Sequence, residues 1–182
     1  MGILQKPKLA KPICGITFAS DIVLSAVISE MEKILGSIED QTLPFDFSSF
    51  TDYYREEMGT ELKKIFLSFV DLVDPGSLAS IKIKTNKIEE LWAIEGKRKI
   101  NLDPGYINSA KLVLASTKDF SHRIYIGEGI YGDVQLRFWK GQFRASEWTY
   151  PDYKTDTALD FFHRVREKYK KQVKKYEQKN KL

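Results

Sequence analysis

Lys64-Ile65-Phe66-Leu67-Ser68-Phe69-Val70-Asp71-Leu72-Val73-Asp74-Pro75 is the stretch on which the fold turns. Its large apolar and aromatic residues are the composition of a buried strand. Asp74 followed by Pro75 then marks a helix start. The carboxylate can accept from the first free amides, and proline suits the first helical position because the amide it lacks has no partner there. Leu78, Ile81, Thr85, Ile88 and Trp92 follow at helical spacing, and Gly96 offers a stop. The alternation across residues 80–84 leaves a strand open as the alternative.

The same order lies upstream. Residues 11–19 read as a buried strand, with Ile13, Cys14, Ile16 and Phe18 close together. Ser20 offers a cap, and Val23, Leu24, Val27, Ile28, Met31, Ile34 and Leu35 recur at helical spacing up to Gly36. Phe45 and Phe47 alternate about Asp46 and suggest a strand within residues 42–54. Downstream, residues 97–102 read as a short strand that Asp103-Pro104-Gly105 should break. The sum is an α+β chain whose first half runs β-α-β-β-α-β, the order of a ferredoxin-like fold.

An antiparallel extension follows. Residues 111–116 suit a strand or a short helix. Residues 122–126 and 130–139 form the arms of a hairpin about Gly127-Glu128-Gly129, and Lys140-Gly141 turns into residues 142–145. A three-residue loop pairs Ile126 with Ile130, Tyr125 with Tyr131, Ile124 with Gly132, Arg123 with Asp133 and His122 with Val134. It places Ile124, Ile126, Ile130, Val134, Leu136 and Phe138 on a core face. Arg123, Tyr125, Tyr131, Asp133, Gln135, Arg137 and Trp139 fall on the other face, and Arg144 falls opposite Arg137. From about Asp156 a helix presents Leu159, Phe162, Val165, Tyr169, Val173 and Tyr176 on one side. No repeat or linker divides the chain, so residues 1–182 read as one domain.

Composition narrows the function classes. Hydrophobic residues make up 42% of the 182 and charged residues 30%, which suits a globular fold. No leader and no membrane-length apolar run is visible, so the expected location is the cytoplasm. Cys14 is the one cysteine and, in its apolar setting, reads as a small buried hydrophobe. The net charge of +4 is uneven. Residues 154–182 hold ten Lys/Arg against four Asp/Glu, and the rest holds 19 against 21. The basicity therefore belongs to the C-terminal helix, whose run from Lys168 to Lys181 reads as a solvated face or as a nucleic-acid contact.

Motifs exclude more than they assign. Two histidines and one cysteine leave no zinc site of the usual composition. A magnesium site built of carboxylates such as Asp46, Asp52, Glu56, Glu57 and Asp103 stays open. There is no P-loop, no Gly-x-Gly-x-x-Gly after a strand, no Gly-x-Ser-x-Gly, and no histidine evidently paired with Cys14. His122 reads as a structural histidine or as an acid, base or phosphate contact. The segments Asn101–Tyr106 and Trp148–Tyr153 combine turn residues with aromatic and polar groups, either as packed loops or as pocket walls.

Taken together, several segments carry a resemblance. They are Asp52-Tyr53-Tyr54 with Glu57-Met58-Gly59, Thr85-Asn86, residues 101–106, Ala115-Ser116-Thr117-Lys118, residues 122–125, Gly129-Ile130-Tyr131 and residues 148–153. The chain resembles a bacterial and archaeal family of similar length described only as domain of unknown function 4416. Gly132-Asp133 departs from the Ala-Glu associated with that family. Some relatives carry a GTP-binding label, which no motif here supports. The resemblance implies where to look: Asp52, Tyr54, Glu57, Asn101, Asp103, Lys118, His122, Arg123, Tyr131, Tyr150 and Asp152.

The leading expectation is a protein that binds a small anionic or phosphorylated ligand or a nucleotide, open to being an enzyme. Lys118, His122 and Arg123 would supply positive charge. Asp52, Glu57 or Asp103 would act as base or metal ligand, with His122 a further catalytic candidate. Tyr54, Asn101, Tyr131, Trp148, Tyr150 and Asp152 would complete the site. One alternative is an RNA- or nucleic-acid-binding module using the Arg123, Tyr125, Tyr131, Arg137 and Arg144 face with the basic helix. Another is a protein-interaction module that docks a partner through that helix.

Overall fold

The computed structural model describes residues 2–179. Along the chain lie β1 (Lys11–Ala19), α1 (Leu24–Leu35), β2 (Ile38–Gln41), β3 (Phe45–Asp46), α2 (Arg55–Met58), β4 (Leu62–Phe69) and α3 (Leu78–Leu91). They are followed by β5 (Ile100–Ile107), β6 (Lys111–Ser116), β7 (Arg123–Gly127), β8 (Ile130–Trp139), β9 (Gln142–Ala145) and α4 (Asp156–Lys179). Among the described residues the nine strands form one sheet in the order β2-β4-β1-β5-β6-β8-β7, with β3 also on β4 and β9 on β8. Every pairing is antiparallel. No helix among the described residues is long and apolar enough to cross a membrane.

The sheet is covered on both faces, and β1 shows why. It is buried at every position, so its alternate residues must serve two cores. Cys14, Ile16 and Phe18 meet Val27, Met31 and Leu35 of α1 and Ile81 and Ile88 of α3. Ile13 faces the other way, with Phe66 of β4, toward Phe161, Phe162 and Val165 of α4. Cys14 is a buried free thiol, and burial pushes its pKa up. Between these cores Gly15 leaves room for larger neighbours. A Cβ there would lie 2.8 Å from Tyr153 Oη and 3.0 Å from Lys64 Cε.

Several elements depart from the sequence expectation for local reasons. α1 starts at Leu24 rather than at Ser20, and its cap position, Val23, supplies no side-chain bond. β2, not anticipated, pairs with β4 across a register shift. Asp74 does cap, accepting from the Gly76 amide, but a 3-10 turn over Pro75–Ser77 precedes α3. The strand alternative for residues 80–84 is not adopted, and residues 111–116 are a strand.

β5 runs straight through Asp103-Pro104-Gly105, which had been expected to break it. Amide direction alternates along a strand. The Leu102 N–H is bonded to Glu89 on the side away from β1, so the amide that Pro104 lacks would also point away from β1. Toward β1 nothing is lost, and pairing continues from Ile100 to Ile107. Toward β6 the ladder stops. Ile107, Tyr106 and Gly105 pair with Leu112, Val113 and Leu114, and no further pair forms. The two strands separate from Pro104 onward.

The β7–β8 hairpin also differs from expectation. Gly127, not Ile126, pairs with Ile130, which leaves the two-residue turn Glu128-Gly129 with φ of 54° and 74°. Such positive values at both turn positions are those of the favoured hairpin turn. The Arg123–Asp133, Ile124–Gly132 and Tyr125–Tyr131 pairs stand as read, and so does Arg137 opposite Arg144. The proposed core face does not. β7 is an edge strand, and Ile124 and Ile126 are exposed. On β8 the register shifts between Val134 and Leu136, which pair with the consecutive residues Val113 and Leu112. The bulge at Gln135 sends Val134 toward the α3 side and Leu136 toward α4. Arg123 and Arg137 therefore lie on opposite faces.

Candidate functional site: a cleft where the sheet parts

The separation of β5 from β6 leaves Leu102 without a strand partner on that side. Two side chains of α3 take its backbone groups instead. Glu89 Oε1 accepts from the Leu102 N–H at 2.8 Å, and Lys82 Nζ donates to its carbonyl at 2.6 Å. Between the parted strands lies a cleft of about 600 Å3. The loop before α2 closes one end with Phe47, Phe50, Tyr53 and Tyr54, and residues 150–152 close another.

The loop holding residues 146–153 is fixed by the bulge. Gln135 Oε1 accepts from the Tyr150 amide at 2.8 Å, its carbonyl accepts from the Thr149 hydroxyl, and the Val134 carbonyl accepts from Trp148 Nε1 at 3.0 Å. These bonds carry Tyr150 and Asp152 over the sheet to the cleft. Pro151 then opens a short 3-10 turn that seats Tyr153 on Phe66 and Phe162.

At the floor Lys64 is 2% exposed, yet its ammonium lies between two carboxylates, 2.8 Å from Asp152 and 3.2 Å from Asp103. It also sits over the rings of Phe47 and Tyr153, 4.9 and 5.0 Å from their centroids. Burial alone would lower its pKa, but Asp152 and Asp103 outweigh that and raise it, so Lys64 is a fixed cation. Burial alone would likewise raise Asp103. The charges of Lys64 and Lys82, with the Asn101 amide at 3.0 Å, hold it below the usual carboxylate range.

Two arginines brace the walls. Arg98 grips both Glu57 oxygens at 2.6 and 2.8 Å and reaches Glu89 and Asn101. The fork to Glu57 is the main reason its own pKa rises and that of Glu57 falls. Arg123 bonds Asp133 at 2.8 Å, the Ser116 hydroxyl, the Lys118 carbonyl and the Tyr150 hydroxyl. Burial pushes the Tyr150 hydroxyl up to about 12 and raises Tyr54 as well. At the mouth, exposed Lys118 meets the Tyr53 hydroxyl and lies 4.5 Å from that ring's centroid.

Of the residues singled out from the sequence, Tyr54, Asn101, Asp103, Lys118, Arg123, Tyr150 and Asp152 line this cleft. Glu57 stands behind it, holding Arg98. His122 also stands behind it, 3.4 Å from Asp133 and stacked on Trp148 at 4.9 Å between centroids. Asp52 is not in the cleft; it lines a separate hollow of about 180 Å3. Tyr131 packs edge-on against Tyr125 on the hairpin and does not line the cleft. Among the described residues no three His, Cys, Asp or Glu side chains are arranged to hold a metal ion.

Lys64, Lys82, Glu89 and Arg98 were missed by sequence reasoning. Each lies in an apolar strand, a helix or a turn, where a lone charge reads as surface. The one signal was an oddity of pattern, a lysine directly before Ile65-Phe66-Leu67 in a strand whose neighbours are buried. Asp133 had been noted as the partner of Arg123 and as a departure from the family pattern, not as a site residue.

No curated protein and no solved structure matches the chain. The family model described as Domain of unknown function (DUF4416) matches residues 8–169, from just before β1 into α4, and the chain belongs to that family.

Proposed function

We propose that the protein binds a small organic molecule in the cleft between β5 and β6, with an anionic group of that molecule at the mouth beside Lys118. The observation that carries the reading is the cleft itself, a preformed concavity of about 600 Å3 with aromatic walls and converging polar groups. That is the usual form of a small-molecule site. Lys118 supports the placement of the anion. The other lining cations, Lys64, Lys82, Arg98 and Arg123, are each already paired with a carboxylate. A phosphorylated metabolite or a nucleotide fits this pattern, its body between Tyr54 and Tyr150. Asp103, held ionised, is a group placed to accept a hydrogen bond from it.

A thermal-shift panel of nucleotides, phosphorylated metabolites and divalent metals tests this. A ligand that binds only the folded state at 100 times its Kd adds about 2.7 kcal/mol of stability. The expected result is a concentration-dependent rise in Tm that Lys118→Ala reduces and Arg137→Ala leaves intact. A rise insensitive to Lys118 would move the anion elsewhere.

In the same reading the half from β1 to β5 is ferredoxin-like. The strand order β2-β4-β1-β5 and the packing of α1 and α3 on one face support this. The nucleic-acid alternative keeps one supporting observation, exposed Arg137 directly opposite exposed Arg144. Binding of mixed RNA that falls steeply with salt would favour it. Of the basic run, Lys181 lies outside the described residues. As for the interaction alternative, α4 already places Phe161, Phe162, Val165 and Tyr169 on its own core.

A further inference from the structure

The inner cleft is chemically unlike its mouth. Lys64 is a single charge between two carboxylates, Asp103 and Asp152. Asp133 is 1% exposed and lines the same cleft. One of its oxygens is bonded to Arg123, but Oδ1 is buried with no hydrogen-bond partner. A buried carboxylate oxygen left unpaired costs stability of the same order as a lost hydrogen bond, so it calls for a donor. Lys82 does not supply one: its bonds go to Glu89 and the Leu102 carbonyl. Arg98 is committed to Glu57, Glu89 and Asn101. The inner end thus has one more carboxylate than cation at Lys64, an acceptor in want of a donor at Asp133, and aromatic rings alongside.

We infer that the inner end of the cleft takes a cationic, hydrogen-bond-donating group, an amine or amidine, so that the ligand is zwitterionic: positive toward Asp152 and Asp133, negative toward Lys118. This rests on the cleft being the ligand site and names the chemistry it selects. An ammonium there balances the excess carboxylate, donates to Asp133 Oδ1 and gains from the ring faces. A neutral hydroxyl supplies the hydrogen bond but not the charge. A phosphate would face two carboxylates.

The test uses three probes that share a ring and differ in charge: benzylamine, benzyl alcohol and phenyl phosphate. Each is titrated into the full chain while backbone and side-chain amide signals are followed by NMR. Benzylamine is expected to shift the Asn101 side-chain amide and the Leu102 amide, at least tenfold more tightly than benzyl alcohol. Phenyl phosphate is expected to shift only Thr117 and Lys118. In Asp152→Asn, which leaves Lys64 its Asp103 partner, the preference of benzylamine over benzyl alcohol should drop about tenfold. Equal binding of amine and alcohol, or phenyl phosphate at Asn101 and Leu102, would overturn the inference while leaving the cleft as a ligand site. Failure of all three to move any cleft signal would overturn both. The parent-chain comparison decides the matter even if the variant does not fold.

Discussion

Lys64 concentrates the chemistry of this protein in one residue. Its stem crosses Gly15, and its ammonium, almost fully buried, is enclosed by two carboxylates and three ring faces. Removing one member of such a buried set leaves the other charges uncompensated, at a cost of about 3–5 kcal/mol. Lys64→Met should therefore lower the unfolding free energy by that amount in a denaturant titration. A loss below about 1 kcal/mol would mean that the carboxylates are solvated. The pH dependence follows from the same contacts. The folded-state pKa of Asp103 is depressed, so its contribution is present at neutral pH and fades as pH falls through the folded value, below about 4. That of Lys64 is raised, so its contribution is full at neutral pH and fades only as pH climbs beyond about 10.4. Stability should be level across the neutral range and fall in acid, and Asp103→Asn should show a shallower acid limb. An unchanged limb would rule out Asp103 as a contributor. At this scale the sequence was legible where a polar residue stood in a distinctive segment, as with Asn101, Asp103, Tyr150 and Asp152. It was silent where the residue's neighbours are distant in the chain. Nothing within ten positions of Lys64 announces Asp152.

Two elements carry defects that make the cleft. In β5 the proline removes one donor from the ladder to β6, and α3 replaces the lost pairing at Leu102 with Glu89 and Lys82. The Leu102 amide should therefore be protected from hydrogen exchange by a side chain rather than by a strand. In Glu89→Ala its protection is expected to fall at least tenfold more than that of Ile107, which stays paired. Equal protection in the variant would show that β6 closes the gap. In β8 the bulge at Gln135 redirects the strand and anchors the loop that bears Tyr150 and Asp152. Gln135→Ala removes the acceptor for the half-buried Tyr150 amide and should cost about 1 kcal/mol, with weaker response to any cleft ligand. A variant of unchanged stability would mean that the loop is held by other contacts. Proline and glycine at residues 103–105 were visible in the sequence as a break. They interrupt the ladder on one side only, because a strand's amides point alternately to its two neighbours. The bulge had no local signature, since Val134-Gln135-Leu136 alternates like any other strand.

Across the whole molecule α4 ties the parted sheet together. Phe162 and its neighbours pack on Ile13 and Phe66 from the β1–β4 side of the parting and on Leu112, Leu114 and Leu136 from the β6–β8 side. Phe162→Ala should cost about 3–5 kcal/mol and leave a single unfolding transition seen alike by far-ultraviolet dichroism and tryptophan fluorescence. Two separated transitions would show that the halves fold independently. The amino-acid sequence by itself determined the α+β class, the positions of most strands and helices, the Arg123–Asp133 register, the burial of Cys14 and the amphipathic C-terminal helix. These follow from residue periodicity, cap chemistry and cross-strand pairing, all local along the chain or within one hairpin. Only the tertiary structure decided that β7 is an exposed edge, that Arg123 and Arg137 face opposite ways, and that Asp52 and Tyr131 stand outside the cleft. Only it, too, brought Lys64, Asp103 and Asp152 together. Those outcomes depend on which strands become neighbours and where a ladder fails, and that is settled by packing among residues far apart in sequence.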